Sequence, residues 1–153
     1  NDVALLVPFG RGAATTYAVA GHRDQPSFTL RRGRLVPSDG EGAPIAVAAP
    51  DDRLTLEVES AFADGQTLAL KGWAADLGGV ALADQVIVFA NGRQLGVASR
   101  RERADLVSQV GAALVQVGFE KVIGADHVPP GAEIEVVAVF GDRAVAVEVD
   151  PDR

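Results

Sequence analysis

The chain has 153 residues, carries a formal charge of −7 and contains no cysteine. This length suits one domain, or a domain of about 100 residues with an extension, and the missing cysteines exclude disulfides, thiolate nucleophiles and zinc-ribbon sites. Because an acidic chain repels phosphate backbones and anionic lipid, we expect no nucleic-acid partner and no membrane-surface binding.

The N-terminal third is the less regular part of the sequence. Strand-like content at Thr15–Ala20 and Ser27–Val36 is interrupted by glycine and proline. Pro37–Pro50 is rich in Pro, Gly and Ala, a composition that is typical of a linker or of a crossing at a sheet edge. We therefore predict that residues 1–50 are an N-terminal extension with edge strands and a Pro/Gly linker.

Val3–Thr16 superficially offers the apolar strand and glycine loop of a dinucleotide-binding fold. The loop contains Gly10 and Gly12, but Thr15 replaces the third glycine and no clear helix follows. We interpret this stretch as a turn after an edge strand. The apolar run Val3–Phe9 is far shorter than the ~20 residues that cross a bilayer, so we expect no membrane insertion in this segment.

Seven segments after residue 50 have the alternation or the apolar runs of β-strands. They are Leu54–Glu59, Leu68–Trp73, Val86–Ala90, Leu95–Ala98, Val115–Ile123, Ile134–Phe140 and Ala144–Val149. Asn91–Gly92 and Gly141–Asp142 lie where hairpin turns would join neighbouring strands. This pattern predicts an all-β fold, an immunoglobulin-like two-sheet β-sandwich over residues 51–150.

Arg101–Val115 is the one helical candidate. Ala104, Val107 and Leu114 fall near one face of a helix, while Gly111 weakens its second half. We therefore expect one short helix between two strands.

Two pairs of carboxylates keep an enzymatic alternative open. Glu57 with Glu59, and Glu133 with Glu135, each place two carboxyls on one strand face. Paired-carboxylate glycosidases have such pairs, although a solvated sheet face has the same pattern. We favour the solvated face.

Other signs of chemistry are weak. No Walker loop, HExxH, GxSxG or EF-hand motif occurs in the sequence. The two histidines, His22 and His127, lie in loop-like segments without a spaced pattern of carboxylates. We therefore expect no cofactor, no metal site and no catalytic residue.

Trp73, the single tryptophan, has two interpretations. Sandwiches commonly bury a tryptophan in mid-strand against the opposite sheet, and we favour burial. The alternative is an exposed ring that stacks on a sugar, with Asp76 nearby to bind its hydroxyls. Arg103 and Asp105, near the predicted helix start, are interpreted as an ion pair or cap, with a binding role as the alternative.

Four short motifs, taken in order, resemble an accessory module of bacterial envelope proteins. They are Gly72–Asp76 (GWAAD), Val86–Arg93 (VIVFANGR), Arg103–Leu106 (RADL) and Val117–Phe119 (VGF). The module that these motifs resemble has a GWA-x-D strand, a V-x-V-x-x-[DN]-G hairpin, an R-P-D-V helix start and a GF strand. This chain departs from that pattern at Ala104, where the module prefers proline.

The resemblance covers about two-thirds of the chain and implies an immunoglobulin-like module outside the membrane, beside glycosyltransferase or sulfatase-like membrane proteins. The family has no defined catalytic residues, so the resemblance implies a non-enzymatic role. We hypothesise an extracytoplasmic accessory module, in the periplasm or at the cell surface, that contacts envelope glycan or a partner domain. The candidate binding residues are Trp73, Asp76, Arg103 and Asp105. A carbohydrate-binding domain, a small glycoside hydrolase with paired glutamates and a structural spacer remain alternatives.

Overall fold

The structure is a computed structural model that describes residues 27–40, 42–64 and 66–151. The predicted strand Thr15–Ala20, the Gly10/Gly12 loop and His22 lie outside the described residues. Ser27 and residues 37–40 belong to one compact unit, in which the Ser38 amide donates to the Ser27 carbonyl at 2.9 Å. The other unit comprises Phe28–Val36 and the described residues from Gly42 onward.

The described residues are mostly β, which confirms the all-β class. The strands are β1 (Phe28–Arg31), β2 (Arg34–Pro37), β3 (Ile45–Ala48), β4 (Leu54–Ala63), β5 (Thr67–Asp76), β6 (Ala81–Leu82), β7 (Gln85–Ala90), β8 (Arg93–Val97), β9 (Ser99–Arg101), β10 (Gly118–Gly124), β11 (Ile134–Phe140) and β12 (Arg143–Val149). The single α-helix of the described residues, α1 (Val107–Val110), lies between the 3₁₀ helices Ala104–Leu106 and Ala112–Val117, and another 3₁₀ helix, Ala125–His127, follows β10.

Two sheets carry these strands. The first sheet has the order β1-β2-β3-β12-β11-β7-β8 and closes on itself where β8 pairs with β1, with Thr29 opposite Arg93. The second sheet has the order β4-β5-β10-β9, and β6 pairs with β5. The structure therefore agrees with the prediction of two sheets but differs from an open immunoglobulin-like sandwich, because one sheet is closed.

The closure depends on a strand that we predicted as linker. β3 lies within Pro37–Pro50, where it pairs antiparallel with β2 and parallel with β12. Its four residues alternate between half-buried and exposed, a pattern too short to stand out against the surrounding prolines and glycines. Of the two interpretations of Pro37–Pro50, the linker is therefore wrong at β3, where the chain forms a strand of the closed sheet.

The core has two layers, one on each face of β7 and β11. On one face, Val86 and Val88 pack with residues of the second sheet such as Leu70. On the other face, Ile87 and Phe89 pack inside the closed sheet. Burial on both faces explains why these two strands are nearly continuous apolar runs, whereas a strand with one solvated face alternates.

A helical segment, residues 104–117, covers one end of the outer face of the second sheet. Its buried side chains are Leu106, Val110, Leu114 and Val117, and they pack on Trp73 and Ala75 of β5. The predicted helix Arg101–Val115 was too long, since Gly111 interrupts the segment with φ 91° and ψ 155°. The predicted strand Val115–Ile123 begins instead at Gly118, after this segment ends.

Both predicted hairpin turns are confirmed. Asn91 and Gly92 have φ of 52° and 82° and join β7 to β8, the positive pair that a two-residue I′ turn requires. Gly141, at φ 65°, and Asp142 join β11 to β12. These turns hold the central strands of the closed sheet in register.

Candidate functional site

Three of the four motifs interlock at the covered end of the second sheet. Gly72 of GWAAD pairs with Phe119 of VGF. A Cβ at Gly72 would overlap the Glu57 carbonyl oxygen and lie 2.9 Å from the Phe119 ring, so this position requires glycine. A Cβ at Gly118 would lie 2.6 Å from the Arg103 side chain, so the glycine makes room for the RADL arginine. We call Gly72, Trp73, Arg103, Asp105, Gly118 and Phe119 the motif cluster.

Trp73 is buried within the motif cluster. Its side chain is 7% exposed and packs under the helical segment on the outer face of the second sheet. The indole Nε1–H donates to Glu57 Oε1 at 3.2 Å, across the β4–β5 pair. Burial was the favoured interpretation, but the ring packs against the helical segment and not against the opposite sheet. Stacking of a sugar on this ring would require the helical segment to move.

Arg103 links the helical segment to β4. Its guanidinium donates to both carboxylate oxygens of Glu59, at 2.5 and 3.1 Å, and to both oxygens of Asp105, at 2.8 Å each. The hydrogen bonds with Asp105 and Glu59 raise the pKa of Arg103. The hydrogen bonds from Arg103 to Asp105 lower the pKa of Asp105. The predicted Arg103–Asp105 ion pair is confirmed, with Glu59 as a partner that the sequence did not indicate.

Asp76 closes the turn that follows β5. Its Oδ1 accepts from the Gly79 amide at 2.8 Å and from Arg53 Nε at 3.3 Å. The Gly79 hydrogen bond is the main reason that the pKa of Asp76 is lowered. All four candidate binding residues are thus occupied by contacts within the chain, and their roles in ligand binding stay a prediction.

The first carboxylate pair, Glu57 and Glu59, is divided between two partners. A β-bulge between Val58 and Ser60 shifts the register of β4, so Glu57 contacts Trp73 while Glu59 contacts Arg103. Both residues are exposed, which agrees with the expected solvated face, and each carboxylate also holds another side chain.

The second pair belongs to an acidic patch of three residues, Glu133, Glu135 and Glu148. Glu135 lies opposite Glu148 on the β11–β12 pair. Burial and the neighbouring Glu133 raise the pKa of Glu135. A hydrogen bond with Glu133 and its charge raise the pKa of Glu148. Glu133 and Glu135 line a recess of about 390 Å³ that also contains Arg32.

The described residues contain no group of three or more His, Cys, Asp or Glu side chains arranged to hold a metal ion. His127 lies on the 3₁₀ turn after β10, with a side chain that is 73% exposed and Nε2 3.8 Å from Asp126 Oδ1. Its placement in a loop agrees with the sequence-based expectation.

A cleft of about 770 Å³ opens at the side of the molecule, between β8, the second half of β10 and the loop of residues 125–130. We call it the side cleft. Its charged lining residues are Arg93, Lys121 and Asp126, and its apolar lining includes Leu95 and Ile123. Sequence analysis singled out none of these residues as a binding residue.

The strand register shows that both cations of the side cleft face the space between the sheets. Lys121 lies between Phe119 and Ile123 in the alternation of β10, and both neighbours are in the inter-sheet core. Arg93 pairs with Ala90, which also faces this core. Lys121, which is half-buried, therefore occupies a position that is apolar elsewhere along β10, whereas Arg93 is exposed at the end of β8 beside the turn.

Gly96 makes room for Lys121. A Cβ at Gly96 would lie 2.7 Å from Lys121 Cε and 3.0 Å from Nζ, so the end of the lysine lies directly over the backbone of β8. Among the described residues, neither Lys121 nor Arg93 has an ion-pair or hydrogen-bond partner for its side chain. The side cleft thus holds two inward-facing cations without bound carboxylates.

One sequence signal could have found this cleft. In Phe119–Ile123 (FEKVI), alternation places Lys121 on the same face as Phe119 and Ile123. A lysine at a core position is a local inconsistency, and such inconsistencies mark edges or sites. Arg93 gives no comparable signal, because an arginine directly after Asn91–Gly92 is ordinary at a hairpin.

No protein-family model, curated protein or solved structure matches the chain. In the part of the chain that the structure describes, no helix has the length and apolar character needed to cross a bilayer.

Proposed function

We propose that this chain is a non-catalytic interaction module, an elaborated immunoglobulin-like sandwich, that holds a ligand or partner in its side cleft. The observation that carries the proposal is the pair of inward-facing cations, Arg93 and Lys121, that no carboxylate of the described residues neutralises. Lys121 is half-buried and Arg93 is exposed at the rim of the cleft, so a ligand with a complementary charge could reach both and form charge-assisted hydrogen bonds with them.

The motif cluster supports this assignment by contrast. Trp73 donates to Glu57, and Arg103 pairs with both Glu59 and Asp105, so the polar groups of these residues have partners within the chain. Residues that fix the fold can be shared by modules with different ligands, because function lies in sites carried by the fold. The motif cluster therefore fits a scaffold role, and the side cleft fits the variable contact.

A direct binding screen tests the proposal. The immobilised chain is exposed to soluble envelope oligosaccharides and to short synthetic peptides, and bound molecules are analysed by mass spectrometry before and after contact. We expect saturable binding of at least one class, no chemical change in it, and weaker binding to Lys121→Gln. The matched control is Lys71→Gln on the outer face of β5, which should bind normally. No binding of either class would favour a structural spacer.

The carbohydrate-binding alternative makes a different prediction for the single tryptophan. Fluorescence of buried Trp73 should be blue and poorly quenched by acrylamide, and it should not respond to glycans. A red, readily quenched emission that shifts with one glycan would instead support stacking on Trp73.

The acidic patch favours a glycoside hydrolase as the second candidate function. Glu133 and Glu135 line the same recess, and burial raises the pKa of Glu135, as a general acid requires. Release of a chromogenic aglycone from aryl glycosides across about pH 4–8 tests this candidate, with Glu135→Gln and Glu148→Gln as inactive controls. Absence of turnover by the wild-type chain would remove it.

The extracytoplasmic location is also part of the proposal and rests on the motif resemblance. Since the chain has no cysteine, a single introduced cysteine can report exposure to an impermeant maleimide in intact cells that make the protein. Val80→Cys, in an exposed turn, should react, whereas Leu35→Cys, fully buried, should not. Labelling of Val80→Cys only after lysis would contradict the location.

A further inference from the structure

We infer that the side cleft takes an extended acidic peptide segment, which adds as a strand to the free edge of β10 and places carboxylates on Lys121 and Arg93. This inference rests on the proposed interaction function and names its partner. Three features of the described residues lead to it: an unpaired strand edge, the sign of the charge beside that edge, and the chemistry of the lining.

The first feature is the unpaired edge of β10. β9 pairs with β10 only at Gly118, Phe119 and Glu120. Residues 121–124 pair with β5 on one side, and no described strand pairs with them on the other side. The side cleft borders this unpaired edge, so an extended segment that continued the line of β9 would find backbone groups to pair with.

Because Lys121 and Arg93 are positively charged, the side chains that such a segment presents to them should be negatively charged. Lys121 lies on the inner face of β10 and Arg93 lies at the rim on β8, and Asp126 is the one carboxylate among the described lining residues. On the other side of the loop of residues 125–130, a second cleft of about 660 Å³ has acidic groups and no basic ones among its described lining residues. Because successive side chains of a strand alternate in direction, every second residue of the segment would reach the cations.

The lining favours a peptide over a sugar. Proteins bind sugar rings by stacking them on aromatic faces, and among the described residues no Trp, Tyr or Phe lines the side cleft. Its apolar groups are aliphatic and proline side chains, among them Leu95, Ile123 and Pro130, which suit the β-branched residues of an extended peptide. The cleft volume also falls in the range of roughly 300–1,000 Å³ that ligand sites occupy.

The test uses a capped six-residue peptide of alternating valine and glutamate, with a valine–lysine peptide of the same length as its control. Titration calorimetry should show binding of the glutamate peptide only, and salt should weaken it. Lys121→Gln and Arg93→Gln should each weaken binding by tenfold or more, whereas Lys71→Gln should not. Unchanged Trp73 emission would show that each variant is folded.

Amide hydrogen exchange, measured by NMR, distinguishes strand addition from attraction to charge alone. Those amides of residues 121–124 that point away from β5 should exchange rapidly in the free protein and become protected by the peptide. Binding without this protection, or competition by a glucuronate oligosaccharide with no binding of the peptide, would overturn the inference and leave the proposed function standing. Failure of every peptide and glycan to bind would overturn both.

Discussion

The motif cluster, on the second sheet, and the side cleft, between β8 of the first sheet and β10 of the second, use charge in opposite ways. In the motif cluster, one guanidinium satisfies two carboxylates, and the tryptophan N–H has its own acceptor. In the side cleft, Lys121 and Arg93 face the interior with no described carboxylate bound to either. The motif cluster, drawn from three of the four motifs, thus has its polar partners within the chain, whereas Arg93 of the fourth motif lines the side cleft.

Groups that the fold has already paired stabilise the domain, and groups that it has left unpaired are available to a ligand. A recurrent motif marks what the fold needs, here a glycine under an aromatic ring and an arginine beside a second glycine. A ligand needs groups that the fold leaves unpaired. The two regions should therefore respond differently to substitution: the motif cluster through stability, the side cleft through binding.

Gly72→Ala should have the largest effect on stability. The added methyl would overlap the Glu57 carbonyl, so β4 and β5 could not keep their pairing, and we expect a loss of at least about 3 kcal/mol in the free energy of unfolding. The matched control is Gly96→Ala, whose methyl meets only the flexible end of Lys121 and should cost less than about 1 kcal/mol. Urea unfolding measures both, and equal losses would contradict the comparison.

Arg103→Ala should have an intermediate effect. It leaves Glu59 without its partner and detaches the helical segment from β4, and partial exposure limits the loss to about 1–2 kcal/mol. Arg101→Ala removes the more exposed pair with Glu120 and should cost less than about 0.5 kcal/mol. Arg103→Lys should restore only part of the stability, because lysine cannot form the two-pronged contact. An equal loss of stability in Arg101→Ala and Arg103→Ala would contradict the claim that the ion pairs of Arg103 stabilise the fold more than the exposed pair of Arg101.

The acidic patch should give the smallest effect, visible as a pH dependence. A carboxyl whose folded pKa is raised destabilises the protein when ionised, so its penalty is present at neutral pH and fades as pH falls through the folded pKa toward 4.5. Glu148→Gln should therefore be more stable than wild type near pH 7, with the difference shrinking toward pH 4.5. Urea unfolding at both values checks this, with Glu102→Gln, an exposed residue outside the patch, as control. A difference that is the same at both pH values would contradict it.

The aspartates of the turns should change the free energy of unfolding with pH in the opposite direction, so that their protonation lowers stability. Backbone hydrogen bonds lower the pKa of Asp51, Asp64 and Asp76. Their contribution to stability is present above the usual aspartate pKa of 3.8 and is lost as pH falls below it. Stability should thus rise slightly on mild acidification and fall on stronger acidification.

Local patterns predicted much of the second half of the fold. The Asn91–Gly92 turn carries its own conformational requirement, and the apolar run Val86–Ala90 indicates a central strand without any knowledge of its neighbours. Closure of the first sheet was not predictable in this way. β3 is four residues long, and its pairing with β12 joins segments that are about 100 residues apart, which no local pattern encodes.

The candidate sites were predicted unevenly. The Arg103–Asp105 pair is local, so two residues in the sequence suffice to suggest it. Glu59, the other partner of Arg103, is 44 positions away and was missed. Alternation along β5 predicted that Trp73 lies on the side of the strand opposite Leu70. It could not predict that the helical segment covers this side, because that depends on where the segment packs. Lys121 was visible as a cation at an apolar position and was not interpreted.

The closed first sheet has a consequence for synthesis on the ribosome. β3 emerges early, yet the strand that it pairs with in parallel, β12, is the last of the described strands to be made. Until then Leu35 and the other apolar side chains inside the sheet lack part of their cover. A nascent chain must therefore keep its first hairpin from joining other open strand edges, and a chain truncated before Arg143 would present that hazard permanently.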